Sequence, residues 1–319
     1  MQRVGGSWIG PVLGVVSLLL VAGAGAVEAA VPDSLFAEGV ELRTSARVAG
    51  MGGAFVGLAD DGATLFYNPG GLAFLPRFEL QGAGISGPEL SSQPAEGTST
   101  RLSALAAARG FGMGATRMTL PSETGEAEGL KGSVGLAIPL GFIGLGVTGN
   151  YLVDKGGDPG KGGKGWIADA GALVSLGPLR LGAVWRGVAG EVTLLDGKDT
   201  PLDPASYRQT IYGAALRLGF ANIAVDYALP AGWWGPDVAP HVRAGAELTL
   251  GPLTLRGGVS RHQPEGTRLN PEMHTLGASL NLGPLRLDYA LAEPWSEGDP
   301  FWGGNEAKRV QSLGLRLAF

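Results

Sequence analysis

The sequence predicts an all-β protein, a transmembrane antiparallel β-barrel of about 14 strands preceded by an N-terminal segment that breaks the strand pattern. Three observations lead there. Apolar and polar residues alternate with period two in segments of about ten residues, the length a tilted strand needs to cross a bilayer. Tight, Gly-containing turns alternate with long polar connections along the chain. Finally, the chain stops on an amphipathic segment, "VQSLGLRLAF", whose last residue is the aromatic Phe319.

The composition narrows the chemistry. The 319 residues include 56 Gly and 21 Pro but no Cys; 17% are charged and the formal net charge is −5. That balance argues against an ordinary helical enzyme and gives no reason to propose nucleic acid as a partner. Without Cys there is no disulfide or thiolate metal site, and three scattered His leave little for a metal centre. No nucleophile, base and orienting group share a site, and neither a phosphate-cradling loop nor a dinucleotide fingerprint is present. Neither catalysis nor a metal or cofactor is therefore expected.

Residues 1–29 read as a secretory signal peptide, with Arg3 as the positive start, an apolar run from Val12 to Val27, and small residues offering cleavage after Ala26 or Ala29. A retained membrane anchor is the alternative. Beyond it, no apolar run approaches the roughly 20 residues of a membrane helix. Residues 30–76 break the strand pattern and form a separate N-terminal segment, leaving 77–319 as the barrel.

Strands are expected near 77–87, 100–110, 111–120, 130–140, 143–154, 165–177, 178–190, 207–219, 220–231, 240–251, 253–263, 273–283, 285–294 and 307–319. Tight links follow the even-numbered segments, among them the near-identical "SLGPLRL", "TLGPLTL" and "NLGPLRL" at Ser175, Thr249 and Asn281. Long polar links follow the odd ones. Short turns on one edge, long loops on the other and an even strand count are the layout of a bacterial outer-membrane barrel, in which the repeated Gly-Pro septets are periplasmic turns. A soluble β-sandwich could show the same alternation. Aromatic placement favours the bilayer: Tyr151, Trp166 and Trp185 are expected toward the long-loop ends, and Phe111, Phe142, Phe220 and Phe319 at the short-turn ends.

The polar faces of the strands carry Arg180, Arg217, Arg243, Arg256, Arg286 and Arg316, interleaved with Asp169, Asp226, Glu247 and Asp288. These residues form either a ladder of opposite charges that closes the lumen or an Arg cluster that holds a carboxylate head group. In "FGMGATRMTL", the alternation changes phase between Met113 and Met118. A β-bulge at Gly114 and Ala115 would return Arg117 to the lumen; otherwise the strand ends above the bilayer.

The stretch from Ala46 to Leu75 carries Gly50-Met51-Gly52-Gly53-Ala54, Asp60-Asp61 and Asn68-Pro69, followed by Gly70-Gly71-Leu72. This series resembles the hatch of the FadL and PorV/PorQ-like outer-membrane superfamily, with Gly70 in place of the usual Ala. The resemblance implies that residues 30–76 are a hatch plugging a fourteen-stranded barrel in the bacterial outer membrane. It also implies transport of a hydrophobic small molecule, of fatty-acid or hydrocarbon type, with lateral exit; a scaffold for secreted envelope proteins is the alternative. In such transporters a kink in the third strand makes the exit, so Gly114, Ala115 and Arg117 become candidates for a side gate. Gly52, Gly53, Asp60, Asp61, Asn68 and Pro69 then either tie the hatch to itself and the wall or let it shift. The terminal strand ending in Phe319 resembles the signal read by the barrel-insertion machinery, which joins outer-membrane lipid among the expected partners.

Overall fold

The computed structural model describes residues 44–88, 98–122, 125–155, 162–194, 199–201, 208–230, 241–262, 272–295 and 309–319. The expected signal peptide and the first part of the hatch lie outside the described residues. Fourteen antiparallel strands form one closed barrel: β1 (Glu79–Pro88), β2 (Thr98–Ala108), β3 (Phe111–Ser122), β4 (Gly125–Leu140), β5 (Ile143–Asp154), β6 (Gly163–Leu176), β7 (Leu179–Leu194), β8 (Gln209–Arg217), β9 (Ala221–Pro230), β10 (His241–Leu250), β11 (Leu253–His262), β12 (Glu272–Leu282), β13 (Leu285–Trp295) and β14 (Val310–Ala318). Each pairs with the next, and β1 pairs with β14, with Leu80 opposite Leu317. Closure leaves no sheet edge, so the backbone is satisfied without water.

The Gly-Pro septets are the two-residue turns expected. Gly177, Gly251 and Gly283 take φ of 65°, 63° and 66°, as a hairpin turn with Gly first requires. The largest boundary difference is in β4, which begins at Gly125 instead of near 130. Its first turn of pairing carries Glu126 and Glu128, so an apolar alternation could not reveal it.

Outside the wall, β4 presents Leu130, Val134, Leu136, Ile138 and Leu140, each more than half exposed. At ~3.3 Å per residue and a tilt of ~40°, that row spans about 25 Å along the membrane normal. A continuous apolar exterior rules out the sandwich reading, in which apolar faces turn inward. Phe111, Phe142, Phe220 and Phe319 are exposed at the short-turn end. Tyr151 and Trp166 are register partners on the outer surface near the long-loop end. Trp185 is a correction: it pairs with Ala170 and Thr210 in mid-strand, because β7 runs on to Leu194.

The proposed β3 bulge is also corrected. β3 pairs in unbroken register with β2 from Phe111 to Thr119 and with β4 from Phe111 to Ser122. The phase change is met by side-chain placement instead. Thr116 and Met118 point inward and are buried. Arg117 stays outside, where its guanidinium meets Glu128 and Lys155 approaches the same carboxylate at 3.3 Å. This exposed ion-pair cluster lies at the loop-side end of the apolar row, with Arg117 directly opposite Leu130 and Glu128 one outward position further, where an outward charge costs far less than at mid-bilayer. Gly114, Ala115 and Arg117 thus make no gate by way of a bulge.

The register shift recorded among the described strands lies between β6 and β7, where Ala168 pairs with Ala189 but Ala170 pairs with Trp185. Arg186, Gly187 and Val188 therefore face the single residue Asp169. Two extra residues leave the inside-outside alternation of β7 intact, whereas one would have inverted it. Gly187 takes φ 64°, and its N–H donates to Asp169 Oδ1 at 2.9 Å.

A closed apolar-skinned barrel should give a β-dominated circular dichroism spectrum in detergent and migrate faster on gels unheated than boiled. A helical spectrum, or solubility without detergent, would contradict the fold.

Candidate functional site

The hatch fills the lumen with two short helices, α1 (Ala46–Gly50) and α2 (Thr64–Tyr67), and a 3-10 helix over Pro69–Phe74. Met51, Phe55, Leu58, Leu65 and Leu72 form its core together with Leu105 and Leu173 of the wall. The helices are too short to stand alone, so this burial against the barrel holds them.

α1 delivers Arg47, which sequence reasoning missed, to the middle of the charged lumen. Its guanidinium pairs with Asp60 at 2.6 Å and Asp61 at 2.8 Å, and it meets Glu247 of β10 through two nitrogens. Glu247 also accepts from Arg256 Nε at 2.9 Å and Asn222 Nδ2 at 2.6 Å. Arg256 continues to Asp288 at 3.3 Å, which Arg286 meets at 2.8 Å. Arg316 reaches Glu79 at 3.5 Å, and Glu79 accepts the Gly62 N–H at 2.7 Å. Arg217 stands 3.8 Å from Asp60. The predicted lumen residues are thus largely spent on one another and on the hatch, with Arg47 as the missing centre.

Burial works against the charge on Arg47, yet Asp60, Glu247 and Asp61 hold its pKa well above the ordinary value. Burial likewise pushes the Asp61 carboxyl upward, but Arg47, Arg316 and Arg286 bring it below the usual carboxylate range. Both groups stay ionised at neutral pH.

The other predicted hatch residues act through the backbone. Asn68 donates to Val56 O at 2.8 Å and to Ala172 O of β6 at 3.1 Å, while its Oδ1 accepts from Gly70 N at 3.0 Å. Asp226 of β9 accepts the N–H groups of Phe55 and Val56 at 2.7 and 2.9 Å. Gly52 has φ 66° and donates to Thr275 Oγ1 at 3.0 Å; a Cβ there would lie 2.6 Å from Val259 O. Gly53 takes φ 86° beside Arg243, whose Cδ would lie 3.1 Å from an added Cβ. Arg180 is buried with its guanidinium 5.9 Å from the Phe74 ring centre. Pro69 packs on wall glycines: a Cβ at Gly146 would fall 2.3 Å from Pro69 O.

Above the hatch, a second polar group lines β3 to β7. Thr116 and Lys131 are direct register partners, and Ser133 pairs with Asn150. Ser133 Oγ and Asn150 Oδ1 are 2.7 Å apart, Asn150 Nδ2 donates to Asp169 Oδ2 at 3.0 Å, and Arg186 Nη2 donates to Phe66 O at 3.3 Å. Leu152, Ile167 and Val192 form an apolar collar on the same strands, nearer the long loops. Lys131, Asn150 and Arg186 could have been found as polar residues on the inward parity of their strands, each next to an apolar or aromatic residue of the opposite parity, Leu130, Tyr151 and Trp185. No cluster of His, Cys, Asp and Glu suited to a metal ion occurs among the described residues.

A fourteen-stranded barrel with an apolar exterior and a plugged lumen defines this chain as an outer-membrane β-barrel. No family model and no curated protein matches the sequence. Solved structures do. The chain is similar to the CymD monoaromatic hydrocarbon channel, with 13% identity, TM-score 0.58 and coverage of 86% of this chain and 97% of that one. It is likewise similar to the P. putida toluene transporter TodX, at 14% identity, TM-score 0.57 and coverage of 86% and 98%. For the Ralstonia pickettii toluene transporter TbuX the values are 12% identity, TM-score 0.56 and the same coverage of 86% and 98%. The fold implied by the hatch signature is the fold these proteins share.

Proposed function

We propose that the barrel carries hydrophobic small molecules across the outer membrane and releases them sideways through its wall. The observation that carries this reading is the apolar hatch core itself: Met51, Phe55, Leu58 and Leu72 are fully buried in the lumen, where a watery pore would run. A plug of that kind opposes ions and polar solutes. An apolar solute loses nothing by leaving through the wall into lipid. The structural neighbours named for toluene and monoaromatic hydrocarbons support the solute class. The place we assign to the exit is the β6–β7 irregularity. There the wall carries Arg186, Gly187 and Val188 against Asp169, and Arg186 is bonded to the hatch at Phe66.

Uptake of labelled toluene by intact bacterial cells, with and without the barrel in their outer membrane, tests both parts. Deleting Gly187 and Val188 restores a straight ladder without inverting either face, and uptake should fall severalfold while heat-modifiable migration persists. A deletion variant that transports like its parent would remove the bulge from the route. Cells carrying the parent barrel that take up toluene no faster than cells without it would refute the function.

A further inference from the structure

The two rims of the barrel differ on their lipid side. At the turn side the outward residues that end the strands are apolar, as Leu80, Phe111, Leu179 and Leu253 show. Of the exposed cations at that end, Arg109 bonds Ala73 O of the hatch and Arg217 lies by Asp60 in the lumen, while Arg77 belongs to the link before β1. At the loop side, Arg117, Lys155 and Lys164 are exposed on the outer wall of β3 to β6. The side chains of Arg117 and Lys155 are 60% and 74% exposed.

These three cations share one patch. Arg117 is the register partner of Leu130, Leu130 of Val153, and Val153 of Lys164. At ~4.8 Å between strands, Arg117 and Lys164 stand about 14 Å apart along that row. Lys155 follows Val153 at the next outward position, toward the loops. One carboxylate, Glu128, serves both Arg117 and Lys155, so positive charge is left over. Glu126 and Glu191 are exposed on the flanks of the patch.

Just below the cations the wall is indented. Gly132 lies opposite Tyr151, Tyr151 opposite Trp166, and Gly149 opposite Val134. A Cβ at Gly132 or Gly149 would meet nothing within 4 Å. The exposed Leu130, Val134, Val147 and Tyr151 therefore border a furrow. An acyl chain in a furrow makes more contacts than one on a flat wall, and Tyr and Trp mark the level of the head groups.

We propose that β3 to β6 seat one molecule of the phosphorylated glycolipid of the outer leaflet, with its phosphates on Arg117, Lys155 and Lys164 and an acyl chain over Gly132 and Gly149. Arg supplies a forked donor and Lys a point charge, both suited to phosphate. Cations spread over about 14 Å suit a head group with more than one phosphate. The long loops of an outer-membrane barrel face the outside, so this rim meets the leaflet that carries such a lipid. The seat is on the outer wall, apart from hatch and solute, and stands or falls independently of the transport reading.

The test is equilibrium binding of fluorescent lipid A carrying two phosphates, and of its phosphate-free analogue, to the full barrel in uncharged detergent. A chelator is present throughout, so that metal bridges from Glu126 or Glu191 contribute nothing. The parent should bind the phosphorylated lipid more tightly. A basic residue near an anionic lipid surface is worth about fivefold in affinity. Replacing Arg117, Lys155 and Lys164 together with Gln should therefore cut the ratio of the two affinities by about tenfold or more, with gel migration reporting a folded barrel. Gly149→Val fills the furrow and should weaken both lipids alike, leaving the ratio. Arg77→Gln, at the other rim, should change neither affinity. An unchanged ratio in the triple variant overturns the proposal, and so does a parent that binds the two lipids equally. Displacement of the lipid by millimolar inorganic phosphate would make the cations a site for free anions and overturn the lipid seat, and a Gly149→Val barrel that binds like its parent would overturn the place of the acyl chain.

Discussion

Replacing Arg47 with methionine is expected to unlatch the hatch and raise ion conductance through the barrel in planar bilayers. The substitution leaves Asp60, Asp61 and Glu247 crowded in the lumen without the cation that joins them. Removing one partner of a buried ion pair typically costs about 3–5 kcal/mol, because the remaining charge is left uncompensated. Here one side chain serves three carboxylates, so the cost falls on the hatch, the part that can move. Acid should act in the same direction only far from neutrality. The Asp61 pKa is lowered in the folded protein, so its contribution is complete above the unfolded value of about 3.9 and is lost as the pH falls through the lower, folded value. The Arg47–Asp61 pair should therefore persist from neutral pH down to about 4 in the parent. An Arg47→Met barrel that migrates normally and conducts no more than the parent would place the anchor elsewhere.

Substituting valine for Gly146 should have an effect as large by a steric route. A Cβ at this inward position of β5 would lie 2.3 Å from Pro69 O and 2.4 Å from Pro69 C, both backbone atoms of the hatch. Neither can yield unless the 3-10 helix lifts away, taking the Asn68 bonds to Val56 and Ala172 with it. The barrel pairing of β5 is untouched, so a folded wall with a displaced hatch is expected, read as higher conductance and as protease cleavage between 46 and 75. Gly149→Val is the control: nothing lies within 4 Å of a Cβ there, and conductance should match the parent. If both variants behave alike, hatch seating does not depend on wall glycines.

The barrel was legible because each strand obeys a simple rule against two solvents, lipid outside and hatch inside. Leu285, Leu287 and Tyr289 against Arg286 and Asp288 reveal a face by composition alone, and Gly-Pro pairs mark reversals. Asp61 and Asn68 of the hatch signature are buried in the lumen, but the contacts that join hatch to wall link residues far apart in sequence. Arg47 meets Glu247 across 200 positions, and no local pattern announces such a contact. Wall glycines such as Gly146 and Gly171 read only as weak strand formers, whereas their meaning is the close approach of Pro69. The phase change in β3 was seen correctly and explained wrongly. A bulge was one solution, but the protein keeps Arg117 outside beside Glu128 and tucks Met118 inward. The irregularity it does contain, in β7, preserves parity and so leaves no trace in the alternation.

The seam between β1 and β14 bears on how the molecule is made. The last backbone amide, Phe319 N–H, bonds to Phe78 O, and the hatch ends at Leu75 just before that residue. Plug and first strand are thus one continuous ribbon, joined by the short link Pro76 to Phe78, and the final strand must meet that ribbon to complete the cylinder. A cylinder sewn shut can afterwards admit such a segment only through its ends, past the side chains that line the lumen. Because the N-terminal segment is synthesised first, it is available to be enclosed as later hairpins wrap around it. Moving the same segment to the C-terminus would preserve every contact on paper and reverse the order in which enclosure has to happen.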